Sequence, residues 1–200
     1  MFHSPLKVFF NDNFRYLTIA NVFSMGGFWI QQITIGWLIY SITKSAVLTT
    51  LALAVDAVPT FVIGPIGGVI ADLWDRRKLM IVNLVIQCVI IFVLLVIVVY
   101  DALQVWHLFI FVFLMGLTLI IIEPARIAMV SDVVKKERFY DSFAIFEISY
   151  NLPRILIPLI GGIAISFIGA EGALIIQAML VGLAVYGVCK IKYSHVRSTN

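Results

Sequence analysis

Six apolar runs dominate this sequence, at about 16–40, 46–70, 79–100, 105–130, 140–168 and 173–189. A helix that crosses ~30 Å of hydrocarbon needs ~17–25 residues at 1.5 Å each, and every run falls near that length. The links are short, so neighbouring helices must run antiparallel, and no stretch is left for a soluble domain. Of the 200 residues, 62% are hydrophobic, against roughly 45–50% in soluble domains. A soluble chain of this size cannot hide so much apolar surface, so lipid must be the solvent for much of it. The expected fold class is an all-α membrane protein with six transmembrane helices.

The formal charge of +3 does not point to nucleic acid; where the cations sit carries more information. Lys7 and Arg15 precede the first run, and Arg76, Arg77 and Lys78 follow the second. Lys135, Lys136 and Arg138 follow the fourth, and Lys190, Lys192 and Arg197 follow the sixth. The opposite links contain only Lys44, near Asp101 and Glu171. Both termini are therefore expected on the cytoplasmic side of the plasma (inner) membrane. Residues 1–15, with Lys7, Asp12 and Arg15 among Phe9, Phe10 and Phe14, read as an amphipathic lead-in at the interface. Residues 16–189 form the bundle, and 190–200 the cytoplasmic start of a central linker. The first run is too long for a cleavable signal and lacks an Ala-x-Ala exit.

Cys88 and Cys189 lie in apolar runs without a Cys or His at metal spacing, which favours packing over chemistry. His3, His107 and His195 are scattered. No metal site, cofactor or enzymatic activity is expected: a phosphate-binding glycine loop and a Gly-x-Ser-x-Gly turn are both missing from the sequence.

The runs differ in polarity. The third and sixth hold no charge, only Asn83, Gln87 and Gln177 as strongly polar groups, which suits lipid contact all round. The others carry Gln31 and Gln32, Asp56, Glu123 with Arg126, and Glu147 with Arg154, and should face inward. Shifting the chain by ninety-four residues lays Pro59 on Pro153 and Gly67-Gly68 on Gly161-Gly162. This pairs the first three runs with the last three. An odd number of helices per unit inverts the second copy, giving two inverted three-helix repeats.

The stretch Gly67-Gly68-Val69-Ile70-Ala71-Asp72-Leu73-Trp74-Asp75-Arg76-Arg77-Lys78 joins two spans through a charged hinge. It resembles the signature loop of major facilitator superfamily transporters. Trp37 to Ala46, Pro124-Ala125-Arg126 and Asn151-x-x-Arg154-x-x-x-Pro158-x-x-Gly161-Gly162 look like the exporter-like branch that includes siderophore and macrolide efflux proteins. Leu73 stands where the hinge usually has an arginine, Asp75 where many members have glycine, and Ile157 where a glycine precedes Pro158. The resemblance covers nearly the whole chain but only the first half of a twelve-span member, that is, half of a major facilitator fold. It implies a secondary transporter working by alternating access, with a second six-helix half supplied covalently or by a homodimer. Its other partners would be the bilayer, a small-molecule substrate and a coupling ion such as the proton. The first and fourth spans would line the path, the second and fifth meet the other half, and the third and sixth face lipid. Gly68, Asp72, Asp75, Arg76 and Arg77 would close the cytoplasmic gate, with Asp72 reaching Arg126 and Arg76 reaching Asp132.

The residues add their own expectations. Glu147, Asn151, Arg154 and Pro158 are spaced four, three and four apart and share one helix face. They suit a substrate path or a buried structural pair. A lone charge at helix centre costs ~2.5–3.5 kcal/mol, so Arg154 needs a cavity or a partner. Asp56 is alone in the second run; desolvation disfavours its anion, which suits a proton-carrying group, and a hydrogen bond to a neighbouring helix is the alternative. Glu123 and Arg126 are one turn apart and can pair with each other or with the hinge. At least one of Gln31 and Gln32 should face a cavity, because adjacent residues point about 100° apart. Gly26-Gly27, Gly64, Gly67-Gly68 and Gly161-Gly162 suggest close helix contact, and Pro59, Pro65, Pro124, Pro153 and Pro158 suggest kinks.

Three rivals fit less well. An ATP-driven exporter's membrane domain needs long cytoplasmic extensions, which these links lack. An intramembrane hydrolase needs a nucleophile beside His107. A non-transporting six-helix scaffold would show no flux.

Overall fold

The computed structural model describes the backbone of residues 11–192 and, outside 65–72, their side chains. The lead-in up to residue 10, residues 193–200, and the surroundings of Pro65, Gly67, Gly68 and Asp72 lie outside the described residues. The elements are α1 (Asp12–Thr43), α2 (Ala46–Val55), α3 (Ala57–Leu73), α4 (Arg76–Val99), α5 (Val105–Val133) and α6 (Phe139–Lys190), with a 3-10 turn at Lys136–Arg138 before α6. Among the described residues there is no strand.

Local chemistry sets the boundaries. α1 begins at Asp12, earlier than its apolar run, so residues 12–15 are helix rather than lead-in. Asn11 caps it by accepting from the Asn13 and Phe14 amides at 3.0 and 3.4 Å, and Phe14 is fully buried. Lys44, in left-handed backbone, closes α1 through its amide to the Tyr40 carbonyl. Ser45 and Asp75 then cap α2 and α4. His107 finds a structural use: Gln104 N donates to its Nδ1 at 2.9 Å, in the capping box of α5.

The second run is broken. α2 and α3 are separated by one turn residue, Asp56. Pro59 has no amide for the Val55 carbonyl four residues back, and its ring crowds that carbonyl, so α2 stops at Val55. α5 crosses against the break at Gly116, where an added Cβ would lie 2.9 Å from Asp56 Cα.

Among the described residues five segments are long and apolar enough to cross a membrane, against six runs in the sequence; the last, Lys136–Lys190, has 55 residues. Straight, it would reach ~80 Å. It is not straight. Gly169 has φ 71 and ψ −177, a region essentially reserved for glycine, and the arms on either side fold back. Asn21 Nδ2 donates to Ser149 Oγ of the first arm at 2.8 Å, while neighbouring Ala20 meets Gly187 of the second, where an added Cβ would lie 2.9 Å from Ala20 Cβ. The expected link at 169–172 therefore shrinks to a single residue.

α1 packs chiefly on α6, α3 and α4 pack on α5, and α4 also meets α6. Exchange the first three runs for the last three and this pattern maps onto itself, as two inverted units require. The core includes Leu17, Ile35, Ile39, Leu84, Leu108 and Leu174, with Arg126 the largest fully buried side chain among them. The expectation that the third and sixth runs are lipid-facing all round needs correction. Asn83, Gln87 and Gln177 are all buried, because an unsatisfied amide in hydrocarbon costs several kcal/mol by the ~4–8 kcal/mol transfer scale. Only the opposite faces of those helices are exposed.

Candidate functional site

Two polar pairs sit inside the bundle. In the first, Gln32 Nε2 of α1 donates to Asp56 Oδ2 at 2.8 Å. Both side chains are half-buried, and the carboxylate stands at the α2–α3 break. In the second, Arg126 of α5 is 2% exposed. Its NH1 donates to Asn21 Oδ1 at 2.7 Å, its NH2 pairs with Glu123 one turn back, and its guanidinium lies 5.2 Å from the Tyr150 ring centre. Asn21 passes the chain on to Ser149, whose hydroxyl donates to the Phe146 carbonyl at 2.6 Å. Of Arg126, Nε has no acceptor among the described residues.

The pairs are related by the repeat. Shifted by ninety-four residues, Gln32 falls on Arg126 and Asp56 on Tyr150. The same shift lays Asn83 on Gln177. Asn83 Nδ2 bonds the Thr118 carbonyl of α5 at 2.9 Å, and Gln177 Nε2 bonds Gln31 Oε1 of α1 at 2.9 Å. Each unit thus ties its third helix to the first helix of the other.

Gln31 is 1% exposed and is spent on that tie, so it scaffolds, while Gln32 turns toward Asp56. Glu123 and Arg126 choose each other among the described residues. The Glu147 stripe shares a face as expected, but that face opens outward. Asn151 and Arg154 are exposed, and Glu147 and Pro158 are intermediate. Asn151 Nδ2 bonds the Glu147 carbonyl at 3.0 Å, and the Arg154 guanidinium lies 5.5 Å from the Trp29 ring centre. A Cβ added at Gly161 would meet Ile33 of α1 at 3.4 Å, whereas one added at Gly162 would meet nothing within 4 Å among the described residues. Gly26 and Gly27 do face α6, at Leu180 and Val181, while Gly64 meets only Thr60 of its own helix.

The basic clusters gather at one end of the bundle, where side chains bond helix ends in a closed ring. Arg76 NH1 reaches Asp132 Oδ2 at 2.7 Å, joining α4 to α5 as expected. Asn11 Nδ2 takes the Val133 carbonyl at 2.6 Å, joining α5 to α1. Asn13 exchanges two bonds with the Lys192 backbone, at 2.9 and 2.8 Å, joining α1 to the segment after α6. Arg77 NH2 and Nε bond the Cys189 and Val188 carbonyls at 2.6 and 3.3 Å, joining α6 back to α4. Orphan carbonyls at helix C-termini carry partial negative charge, so cations and amides from neighbouring N-termini satisfy them. Asp75 serves this end locally, bonding the Lys78 amide at 3.0 Å.

Sequence reasoning overlooked Asn11, Asn13, Asn21, Trp29, Gly116, Ser149 and Tyr150. Asn21, the single asparagine in the first apolar run, was the one detectable signal. The others are ordinary residues until packing brings them together.

A family model described as transmembrane secretion effector, of the major facilitator type, matches residues 3–199. The chain belongs to this family. No match was found among curated proteins. As a family of transporters, it makes the protein an integral membrane transporter of a small-molecule substrate. The features consistent with a half of that fold are the all-helical bundle and its inverted contact pattern.

Proposed function

We propose that residues 16–189 form the first six-helix half of a secondary transporter that exports a small molecule by alternating access, driven by an ion gradient, most simply of protons. The two arms of α6 count as separate crossings, the residues before α1 lead in along the interface, and 190–200 begin a central linker. Both termini lie on the cytoplasmic side of the plasma membrane.

One observation carries this reading. Arg154 stands mid-way along the first arm of α6 and is exposed, on an arm where Ile155 and Leu159 are exposed too, at 73% and 70%. Arginine facing lipid at helix centre costs ~2.5–3.5 kcal/mol, so this face calls for a polar cavity closed by a second bundle, covalent or a second copy. Glu147, Asn151 and Arg154 then line the path, with Pro158 and Gly162 at the same interface. Gln32 and Asp56 lie beside it, and Asp56 takes the role of proton carrier, released or held by Gln32. Glu123 and Arg126 hold the inner part of the path, with Gln31 and Gly161 fixing the helices behind it. The hinge residues Gly68, Asp72, Asp75, Arg76 and Arg77, with Asp132, work the cytoplasmic gate. Arg126 keeps α1, α5 and α6 together, and Asp72 reaching it would close the gate.

The test uses the full-length protein in proteoliposomes loaded with a pH-sensitive dye. Addition of a transported compound should move protons, and Asp56→Asn should reduce that movement at least tenfold while compound binding persists. Proton movement unchanged in Asp56→Asn and in Glu147→Gln would refute proton coupling through this face. Orientation is tested separately by cysteines at Lys135 and Glu171 and an impermeant thiol reagent on intact cells. Only Glu171→Cys should label.

A further inference from the structure

We infer that a slot between α4 and α5, at the end of the bundle remote from the basic clusters, holds one acyl chain of a membrane phospholipid. The two helices are clasped at one level. Asn83 Nδ2 and Gln87 Nε2 bond the Thr118 carbonyl and hydroxyl, each at 2.9 Å. Further from the basic end, no side-chain hydrogen bond joins the two helices among the described residues, and they part around an opening of about 170 Å³. Val89, Val93 and Ile97 form one wall and Trp106, Ile110 and Leu114 the other.

The shape selects the occupant. Each wall covers nine residues of helix, eight steps of 1.5 Å, so the slot is ~12 Å long and runs with the helix axes. Half of a ~30 Å hydrocarbon core is ~15 Å, so the slot spans most of one leaflet. A helix is ~10–12 Å across and cannot enter. Water has too few polar partners in such a site, and apolar cavities of ~150 Å³ stay dry and take up a small hydrocarbon. The mouth is at the first turn of α5, where the Trp106 and His107 rings lie 3.7 Å apart. Tryptophan belongs at the membrane–water interface. His107 Nδ1 already accepts from Gln104 N, so Nε2 carries the ring's proton and can donate to an ester or phosphate oxygen of the headgroup. The site therefore has a hydrocarbon slot for the chain and ring donors where the headgroup emerges.

The probe is phosphatidylcholine carrying a diazirine part-way along one acyl chain, in vesicles containing the full-length protein. After irradiation, adducts should concentrate at Val93 and Ile110, at least fivefold over Ile175, an α6 residue of similar exposure at 47% against 52% for Val93. Excess unlabelled phosphatidylcholine should suppress them, and glycerophosphocholine, which lacks the chains, should not. Val93→Trp fills the slot and should lose the Ile110 adducts while keeping those at Ile175. Ile110→Phe makes the same test from the other wall should Val93→Trp fail to fold. Adducts spread in proportion to exposure, or unchanged in a folded filled-slot variant, would overturn the assignment. So would a second protein copy or detergent found in the slot.

Discussion

The Gln32–Asp56 and Arg126–Tyr150 pairs occupy equivalent places in the two inverted units, and they handle polarity in opposite ways. Arg126 is sealed, with Glu123, Asn21 and the Tyr150 ring gathered on it. Asp56 has one side-chain partner, sits half-buried at a helix break, and faces a donor that carries no charge. A guanidinium that never loses its proton can be fixed permanently. A carboxylate held only by neutral amide donors, the Gln32 side chain and the Ala57 backbone, can change state without leaving a bare charge behind. One unit is therefore built as a fixed joint and the other as a movable one, although the packing order of the helices is shared.

The largest effect should come from emptying the sealed pair. Arg126→Met leaves Glu123 and Asn21 without their donor. Breaking a buried pair costs ~3–5 kcal/mol; with Glu123 a third exposed, the lower end is expected. Unfolding of the detergent-solubilised protein should show it, and adding Glu123→Leu should restore much of the loss. A neutral single change would mean that the second unit is no more fixed than the first.

Next comes Gly116→Ala, which presses a methyl group on the Asp56 backbone. Overpacking costs ~1–3 kcal/mol. If the break is what keeps Asp56 movable, proton-coupled flux should fall further than stability does. Parallel losses would make Gly116 a packing residue only.

Gln32→Leu should be milder in stability, ~1 kcal/mol, the worth of one hydrogen bond. Its signature is in flux, where the pH dependence should shift because Asp56 loses its one side-chain donor. A stability loss as large as that of Arg126→Met would break the distinction between the pairs.

The smallest effect is expected at the ring. Asn13→Ala removes two exposed bonds to Lys192 and should cost ~1 kcal/mol or less. Amide exchange should quicken near the end of α6, with the pH dependence of flux unchanged. A shift in that dependence would join the ring to the Asp56 pair.

The sequence by itself determined the solvent, the helical class, the number of apolar runs and the single basic end, because hydrocarbon length and the cost of charge act on local composition. It also carried the repeat, since Pro59 with Pro153 and the glycine pairs are countable. Partner choice was decided by tertiary structure. Arg126 had Glu123 within one turn and the hinge within reach of an argument, and only packing delivered Asn21 and Tyr150 to it. Gln31 and Gln32 are neighbours with identical side chains, and the 100° between them sends one to Gln177 and the other to Asp56. The link at 169–172 was legible in the sequence, but that it is a single turn residue, Gly169, was not. Its place was settled by two arms that must both reach α1, and glycine alone could take the backbone angle that allows it.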